Sequence, residues 1–144
     1  MSRFKHIIDQ DPQQVQQQNL PPDWPKVFPK PIVGLDRDGV INIDRGSYIT
    51  DPNDWEPIKG SLEAIRMLRL KGYKVVILTN QGGIIKKEQT HEQVEAIHQR
   101  MFEVFGNAGI YSIDGLFYSE SSLKNDTFAK PNLGMFHRAE KEIF

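Results

Sequence analysis

Leu35-Asp36-Arg37-Asp38-Gly39-Val40-Ile41 decides how this chain is read. Two carboxylates stand one residue apart, directly after the apolar run Ile32-Val33-Gly34-Leu35. If that run is a buried strand, Asp36 and Asp38 emerge at its carboxyl end, where open α/β sheets bind their ligands. One carboxylate there can attack a substrate while the other handles a proton. The same residues also read as a β-hairpin turning at Asp38-Gly39, because Asp-Gly between apolar residues is a strong hairpin signal. The segment alone leaves both readings open.

The rest of the sequence alternates between strand and helix patterns. Residues 61–71 carry helical spacing in Leu62, Ile65 and Leu68 or Arg69, the apolar members facing inward, with Ser61 placed to cap and Gly72 where a C′ glycine belongs. Residues 75–78 are apolar without alternation, which predicts a strand covered on both faces. Thr79-Asn80-Gln81-Gly82-Gly83 turns the chain, and Thr90-His91-Glu92-Gln93 is a capping-box pattern. Val94, Ile97, Met101 and Val104 mark the inner face of the helix that follows, and Gly106 ends it. A third strand fits within residues 113–118, and a last helix starts near Gly134 and runs to Phe144. Residues 42–60, with Gly46, Pro52, Pro57 and Gly60, read as a loop with a small hairpin. The order β-α-β-α-β-α predicts an α/β fold: a three-layer, Rossmann-like parallel sheet with covering helices and right-handed crossovers.

Composition bounds the alternatives. A chain of 144 residues has room for one domain with a real core. The formal net charge of −1 gives no electrostatic footprint for nucleic acid or an anionic membrane. The absence of cysteine excludes disulfides and thiolate metal sites. No apolar run approaches the roughly 20 residues that span a bilayer. Met1-Ser2-Arg3-Phe4-Lys5-His6 lacks the apolar stretch of a secretory signal, so the expected location is cytoplasmic. Residues 1–30 differ from the remainder. A Gln-rich run over residues 13–18 is followed by Pro21, Pro22, Pro25, Pro29 and Pro31, which favour extended chain and predict an arm. Phe4, Ile7, Ile8, Trp24 and Phe28 could pin that arm to the domain surface.

In a parallel sheet, the loops after all three strands fall on one edge. Asp36 and Asp38 follow strand one, Thr79, Asn80 and Gln81 follow strand two, and Lys130 lies in the loop after strand three. Two carboxylates, a hydroxyl with backbone amides, and an ammonium then converge on one crevice. That set suits phosphoryl transfer, where positioning and charge stabilisation dominate. Each piece also has an ordinary reading: Thr79-Asn80 as a plain turn, Lys130 as a solvated loop lysine.

These residues, in this order, resemble the haloacid dehalogenase superfamily of phosphohydrolases. Asp36-Arg37-Asp38-Gly39-Val40-Ile41 matches its first motif, Asp-x-Asp-Gly-[Thr/Val]-[Leu/Ile], while Thr79 matches the second and Lys130 the third. The resemblance covers residues 31–144. Within the superfamily the chain is most similar to the D,D-heptose 1,7-bisphosphate phosphatase and histidinol-phosphatase group, on Asp36-Arg37-Asp38-Gly39-Val40-Ile41-Asn42, Thr79-Asn80-Gln81-Gly82-Gly83-Ile84 and Lys130-Pro131-Asn132-Leu133-Gly134-Met135. This group is capless. The resemblance implies that Asp36 is a nucleophile forming an aspartyl-phosphate and that Asp38 is the acid and then the base. It implies Mg2+ on the Asp36 carboxylate and the Asp38 backbone carbonyl, completed by waters and phosphate. Thr79 and the Asn80 N–H would hold phosphate oxygens, and Lys130 would offset charge on phosphate and Asp36.

Two departures stand out. The family's fourth motif, an acidic cluster after a fourth strand that completes the Mg2+ site, has no counterpart among residues 132–144. The expected explanation is truncation after the third strand and its helix; a partner or the arm covering the sheet edge, or a lost activity, are the others. Strand one then becomes an apolar edge open to a dimer or a partner strand. The second departure is in residues 119–129, where many relatives carry a Cys/His zinc loop. This segment has neither residue type, so no structural zinc is expected. Ala129 stands where the heptose enzymes often have a basic residue, which puts the particular sugar in doubt. Lys86 and Lys87 could contact a second anionic group or be a solvated pair, and His91 and His98 read as surface or capping residues.

The leading function is a Mg2+-dependent phosphatase of a small phosphorylated metabolite, with neither nucleic acid nor membrane as partner. A polynucleotide 3′-phosphatase shares the Asp-x-Asp-Gly and Thr-Asn-Gln features. A phosphate-binding or interaction module that kept three motifs and lost the fourth is the non-enzyme alternative.

Overall fold

The apolar run after Tyr73 becomes the centre of the sheet. The structure is a computed structural model describing residues 31–143, so the arm read over residues 1–30 lies outside the described residues. Strand β2 (Lys74–Asn80) lies between β1 (Ile32–Leu35) and β3 (Gly115–Ser119), and both pairings are parallel. Leu35 pairs with Ile77, and Asn80 with Ser119. The hairpin reading of the first segment therefore falls, since β1 takes a parallel partner from 42 residues further along. The chain after β1 closes on itself instead. The Arg37 carbonyl accepts from the N–H groups of Val40, Ile41 and Asn42 at 3.2, 2.8 and 3.2 Å, and Gly39 N–H donates to the Asn42 carbonyl at 2.8 Å. This turn needs φ of +81° at residue 39, a conformation glycine reaches without steric cost.

Helices α1 (Ser61–Leu70), α2 (His91–Asn107) and α3 (Gly134–Ile143) complete three layers. Side chains alternate across a strand, so β2 feeds two cores. Val75 and Ile77, with Leu35 and Leu116, pack against Ile65 of α1 and Ile97, Met101 and Phe105 of α2. Val76 and Leu78, with Ile32 and Phe117, pack against Met135, Ala139 and Ile143 of α3. Each fully buried side chain of this size contributes about 1.5–3 kcal/mol relative to exposure, so β2 anchors both layers. Among the described residues no strand pairs with the far side of β1, which is the edge the sequence leads one to expect.

The helix ends show why local signals succeed or fail. Thr90 and Gln93 form the predicted capping box: Gln93 N–H donates to Thr90 Oγ1 at 3.1 Å, and Thr90 N–H to Gln93 Oε1 at 2.9 Å. Ser61 does not cap α1. Gly60 holds the cap position with φ of +91°, and the Ser61 hydroxyl donates to the Val40 carbonyl at 2.7 Å. That bond ties α1 to the loop that carries the two aspartates. Arg69, on the inner side of α1, is buried and paired with Asp114, which also accepts the Val75 N–H at 2.8 Å. The small hairpin expected in residues 42–60 is reduced to one antiparallel bridge between Asn42 and Pro57, enclosing the buried Ile49 and Trp55. No cap domain interrupts this segment.

Candidate active site

Parallel strands put the loops after β1, β2 and β3 on one edge, and the structure links every predicted site residue there. Asp36 follows the last residue of β1. Its Oδ1 accepts from Arg37 N–H at 2.8 Å and pairs with Lys130 Nζ at 3.1 Å. Lys130 is held from below by Asn80, whose amide donates to the Lys130 carbonyl at 2.9 Å and accepts the Lys130 N–H at 3.0 Å. The Asn80 side chain therefore fixes the loop that carries the ammonium. Thr79 is buried at the end of β2, and its Oγ1 accepts from Gln81 Nε2 at 2.9 Å. That leaves the one hydroxyl proton of Thr79 free to donate.

Asp38 is bound on its inner side. Its Oδ1 accepts from Arg37 Nε and one Arg37 terminal nitrogen at 3.0 and 2.9 Å, and from Asn42 Nδ2 at 3.0 Å. Among the described residues its Oδ2 accepts from Gln81 Nε2 alone, at 3.3 Å. Gln81 also accepts from Arg37 at 3.2 Å, so it bridges the first motif to Thr79. Beneath this lies His98, which is 2% exposed and not a surface residue as the sequence suggested. Its Nε2 lies 3.1 Å from Arg37, and burial, with the Arg37 charge second, pulls its pKa down to about 3. Sequence reading gave Arg37, Asn42 and His98 no role at the site, and it placed Gln81 on this edge without one. His98 had a signal: it falls four residues after Val94 and on the face of α2 that holds Ile97, Met101 and Phe105.

His91 is exposed at the start of α2 and contacts Tyr118 and Glu120 at 3.0 and 2.9 Å. Burial, followed by Glu95, pushes the Tyr118 phenol up to about 12. Lys86 lies 5.6 Å from the centroid of the Tyr48 ring, and hydrogen bonding to the Tyr48 side chain holds its pKa above the usual lysine value; Lys87 is in the left-handed region with φ of 62°.

The donor set fits a hard cation. Asp36 Oδ2 is free of hydrogen bonds among the described residues, its side chain is 45% exposed, and no described backbone N–H donates to the Asp38 carbonyl. All-oxygen donors of this kind suit Mg2+. Among the described residues no group of three His, Cys, Asp or Glu side chains converges as a metal site, so no further carboxylate joins the pair. The arrangement can present a carboxylate nucleophile beside an ammonium, hold phosphate oxygens with Thr79 and backbone amides, and move a proton through Asp38.

Comparison with known proteins bears on this arrangement. The sequence model of the family described as polynucleotide kinase 3 phosphatase matches residues 31–143. The D-glycero-beta-D-manno-heptose-1,7-bisphosphate 7-phosphatase of Neisseria meningitidis serogroup A is 35% identical over 105 residues, covering 72% of this chain and 56% of that protein. The corresponding protein of Vibrio cholerae is 42% identical over 89 residues, covering 62% and 47%. The chain thus spans about half the length of the curated relatives it matches. A D,D-heptose 1,7-bisphosphate phosphatase from B. bronchiseptica, solved with magnesium and phosphate, superposes with a TM-score of 0.70 at 28% identity, covering 77% of this chain and 62% of that one.

Proposed function

The chain belongs to the polynucleotide kinase 3 phosphatase family within the haloacid dehalogenase superfamily, and from that premise we propose that it is a Mg2+-dependent phosphomonoester hydrolase acting on a small sugar phosphate through an aspartyl-phosphate. The observation that carries this reading is the ion pair between Lys130 and Asp36, 3.1 Å, made between loops that leave β1 and β3. An ammonium there lowers the cost of bringing a phosphate dianion up to a carboxylate.

In this account Asp36 attacks phosphorus and Asp38 protonates the departing ester oxygen. Asp38 then takes a proton from the water that hydrolyses the acyl-phosphate. Thr79 Oγ1 donates to one phosphate oxygen, and the Asn80 backbone N–H to another. Asn80 also positions Lys130 through two side-chain bonds to its backbone. Mg2+ held by the Asp36 carboxylate and the Asp38 carbonyl would supply charge neutralisation for the phosphate oxygens.

The curated relatives favour a heptose bisphosphate-like substrate. The description of the matching family favours a second reading, a polynucleotide 3′-phosphatase, and the net charge of −1 speaks against it. The deciding experiment compares phosphate release from heptose 1,7-bisphosphate, histidinol phosphate, an aryl phosphate and a 3′-phosphorylated oligonucleotide. Preference for the sugar bisphosphate supports the first reading, and preference for the oligonucleotide replaces it with the second. Binding of phosphate by a folded chain without any turnover would leave a phosphate-binding module.

A further inference from the structure

Arg37 is 1% exposed although it stands between two carboxylates at the mouth of the site. Its guanidinium has five N–H donors and no acceptor. Two of its nitrogens donate to Asp38 Oδ1, one also donates to Gln81 Oε1, and the remaining terminal nitrogen meets His98 Nε2. Because a guanidinium only donates, Nε2 must accept, and the ring proton of a neutral His98 must sit on Nδ1. That Nδ1 is buried without a hydrogen-bond partner among the described residues. An apolar side chain would spare this turn of α2 the unpaired Nδ1 donor but would strip the Arg37 terminal nitrogen of its acceptor, so packing alone does not account for the histidine. An accepting nitrogen beneath Arg37 does.

The two oxygens of Asp38 are not equivalent. Oδ1 receives three hydrogen bonds of 2.9 to 3.0 Å, two of them from a cation. Among the described residues Oδ2 receives one, at 3.3 Å, from an uncharged amide. Charge-assisted bonds are the stronger kind and hold orientation.

We propose that Arg37, oriented by His98 and Gln81, is a positioning residue that clamps Asp38 through Oδ1 and leaves Oδ2 as the oxygen that exchanges the proton. The inference rests on the phosphatase reading, which gives Asp38 its acid and base roles. In the first step the Asp36 O–P bond forms, the ester P–O bond breaks, and the proton on Asp38 Oδ2 passes to the leaving oxygen. In the second, water oxygen bonds to phosphorus, its proton returns to Oδ2, and the Asp36 O–P bond breaks.

The test uses the whole chain with Arg37→Met, Arg37→Lys, His98→Leu and His98→Gln. The first readout is the burst of leaving group in a single turnover with an alkyl phosphate, which needs a proton on departure, and an activated aryl phosphate, which does not. Arg37→Met and His98→Leu should slow the alkyl ester by about 100-fold and the aryl ester far less, with little change in KM. His98→Gln, which can offer an amide oxygen near the position of Nε2, should recover most of the loss. Arg37→Lys should not, since an ammonium cannot make the fork. Equal slowing of both esters, or an effect confined to KM, overturns the proposal. If Arg37→Met does not fold, the two His98 variants decide.

The second readout needs no turnover. Nitrogen-15 spectra should show His98 neutral at pH 7 with its proton on Nδ1, and a crystal structure of Arg37→Met should show Asp38 displaced. A proton on Nε2, a charged ring, or an unmoved Asp38 overturns the proposal. A wild-type chain that turns over neither ester defeats the phosphatase reading itself, and these two measurements still decide the clamp.

Discussion

Asn80 and Lys130 are joined twice, the Asn80 side chain donating to the Lys130 carbonyl and accepting its N–H. An amide at the end of the central strand thereby sets the position of a lysine 50 residues later, and through it the 3.1 Å contact with Asp36. Replacing Asn80 by alanine removes both bonds and should cost about 1–3 kcal/mol in urea unfolding, at roughly 0.5–1.5 kcal/mol for each. The same variant should lose phosphatase activity. Asn80→Asp keeps the acceptor and faces a carbonyl with a carboxylate, so it should rescue neither property in full.

Lys130→Met separates chemistry from stability. The ion pair is partly open to solvent, with the Lys130 and Asp36 side chains 21% and 45% exposed. Solvent-screened pairs contribute about 0–1 kcal/mol, so the unfolding free energy should move little. Turnover should fall by about 100- to 1,000-fold, the usual effect of removing one donor from a developing negative charge. Parallel denaturation and rate measurements on the one variant check both halves.

His98 gives a pH dependence whose sign is fixed by its environment. Burial lowers its pKa in the folded protein to about 3, from 6.5 for an exposed histidine. The unfolded chain therefore binds a proton here below pH 6.5 that the folded protein refuses until near pH 3. This contribution is fully present above pH 6.5 and is lost as pH falls toward 3, at up to roughly 1.4 kcal/mol per pH unit. Arg37 at 3.1 Å and the Tyr118 ring, with centroids 5.5 Å apart, are its near neighbours. The difference in unfolding free energy between the wild-type chain and His98→Gln, measured at pH 7 and pH 5, should change in the direction that disfavours the histidine at pH 5.

Much of this arrangement was legible in the sequence. The uninterrupted apolar run in β2 identified a strand covered twice, and the structure feeds Val75 and Ile77 to one core and Val76 and Leu78 to the other. Order along the chain then placed Asp36, Thr79 and Lys130 on one edge, because parallel strands leave no other arrangement for their following loops. What the sequence concealed was the layer beneath. Arg37 occupies the variable position of the first motif, and only tertiary packing brings it to His98, 61 residues away. Ser61 shows the same limit on a smaller scale. Its hydroxyl suited a helix cap, yet the Val40 carbonyl from a distant loop took the bond. Local propensity gives way wherever a longer-range partner satisfies the group better.

The central claim is that Asp36 is the nucleophile of a Mg2+-dependent phosphatase, and phosphate release by the chain beside Asp36→Asn tests it most directly. The account predicts release from a phosphomonoester with Mg2+, loss of release on chelation, and a fall of about 1,000-fold or more in Asp36→Asn, whose amide is a far poorer nucleophile. Equal release by the wild-type chain and Asp36→Asn, or release that ignores Mg2+, would contradict it.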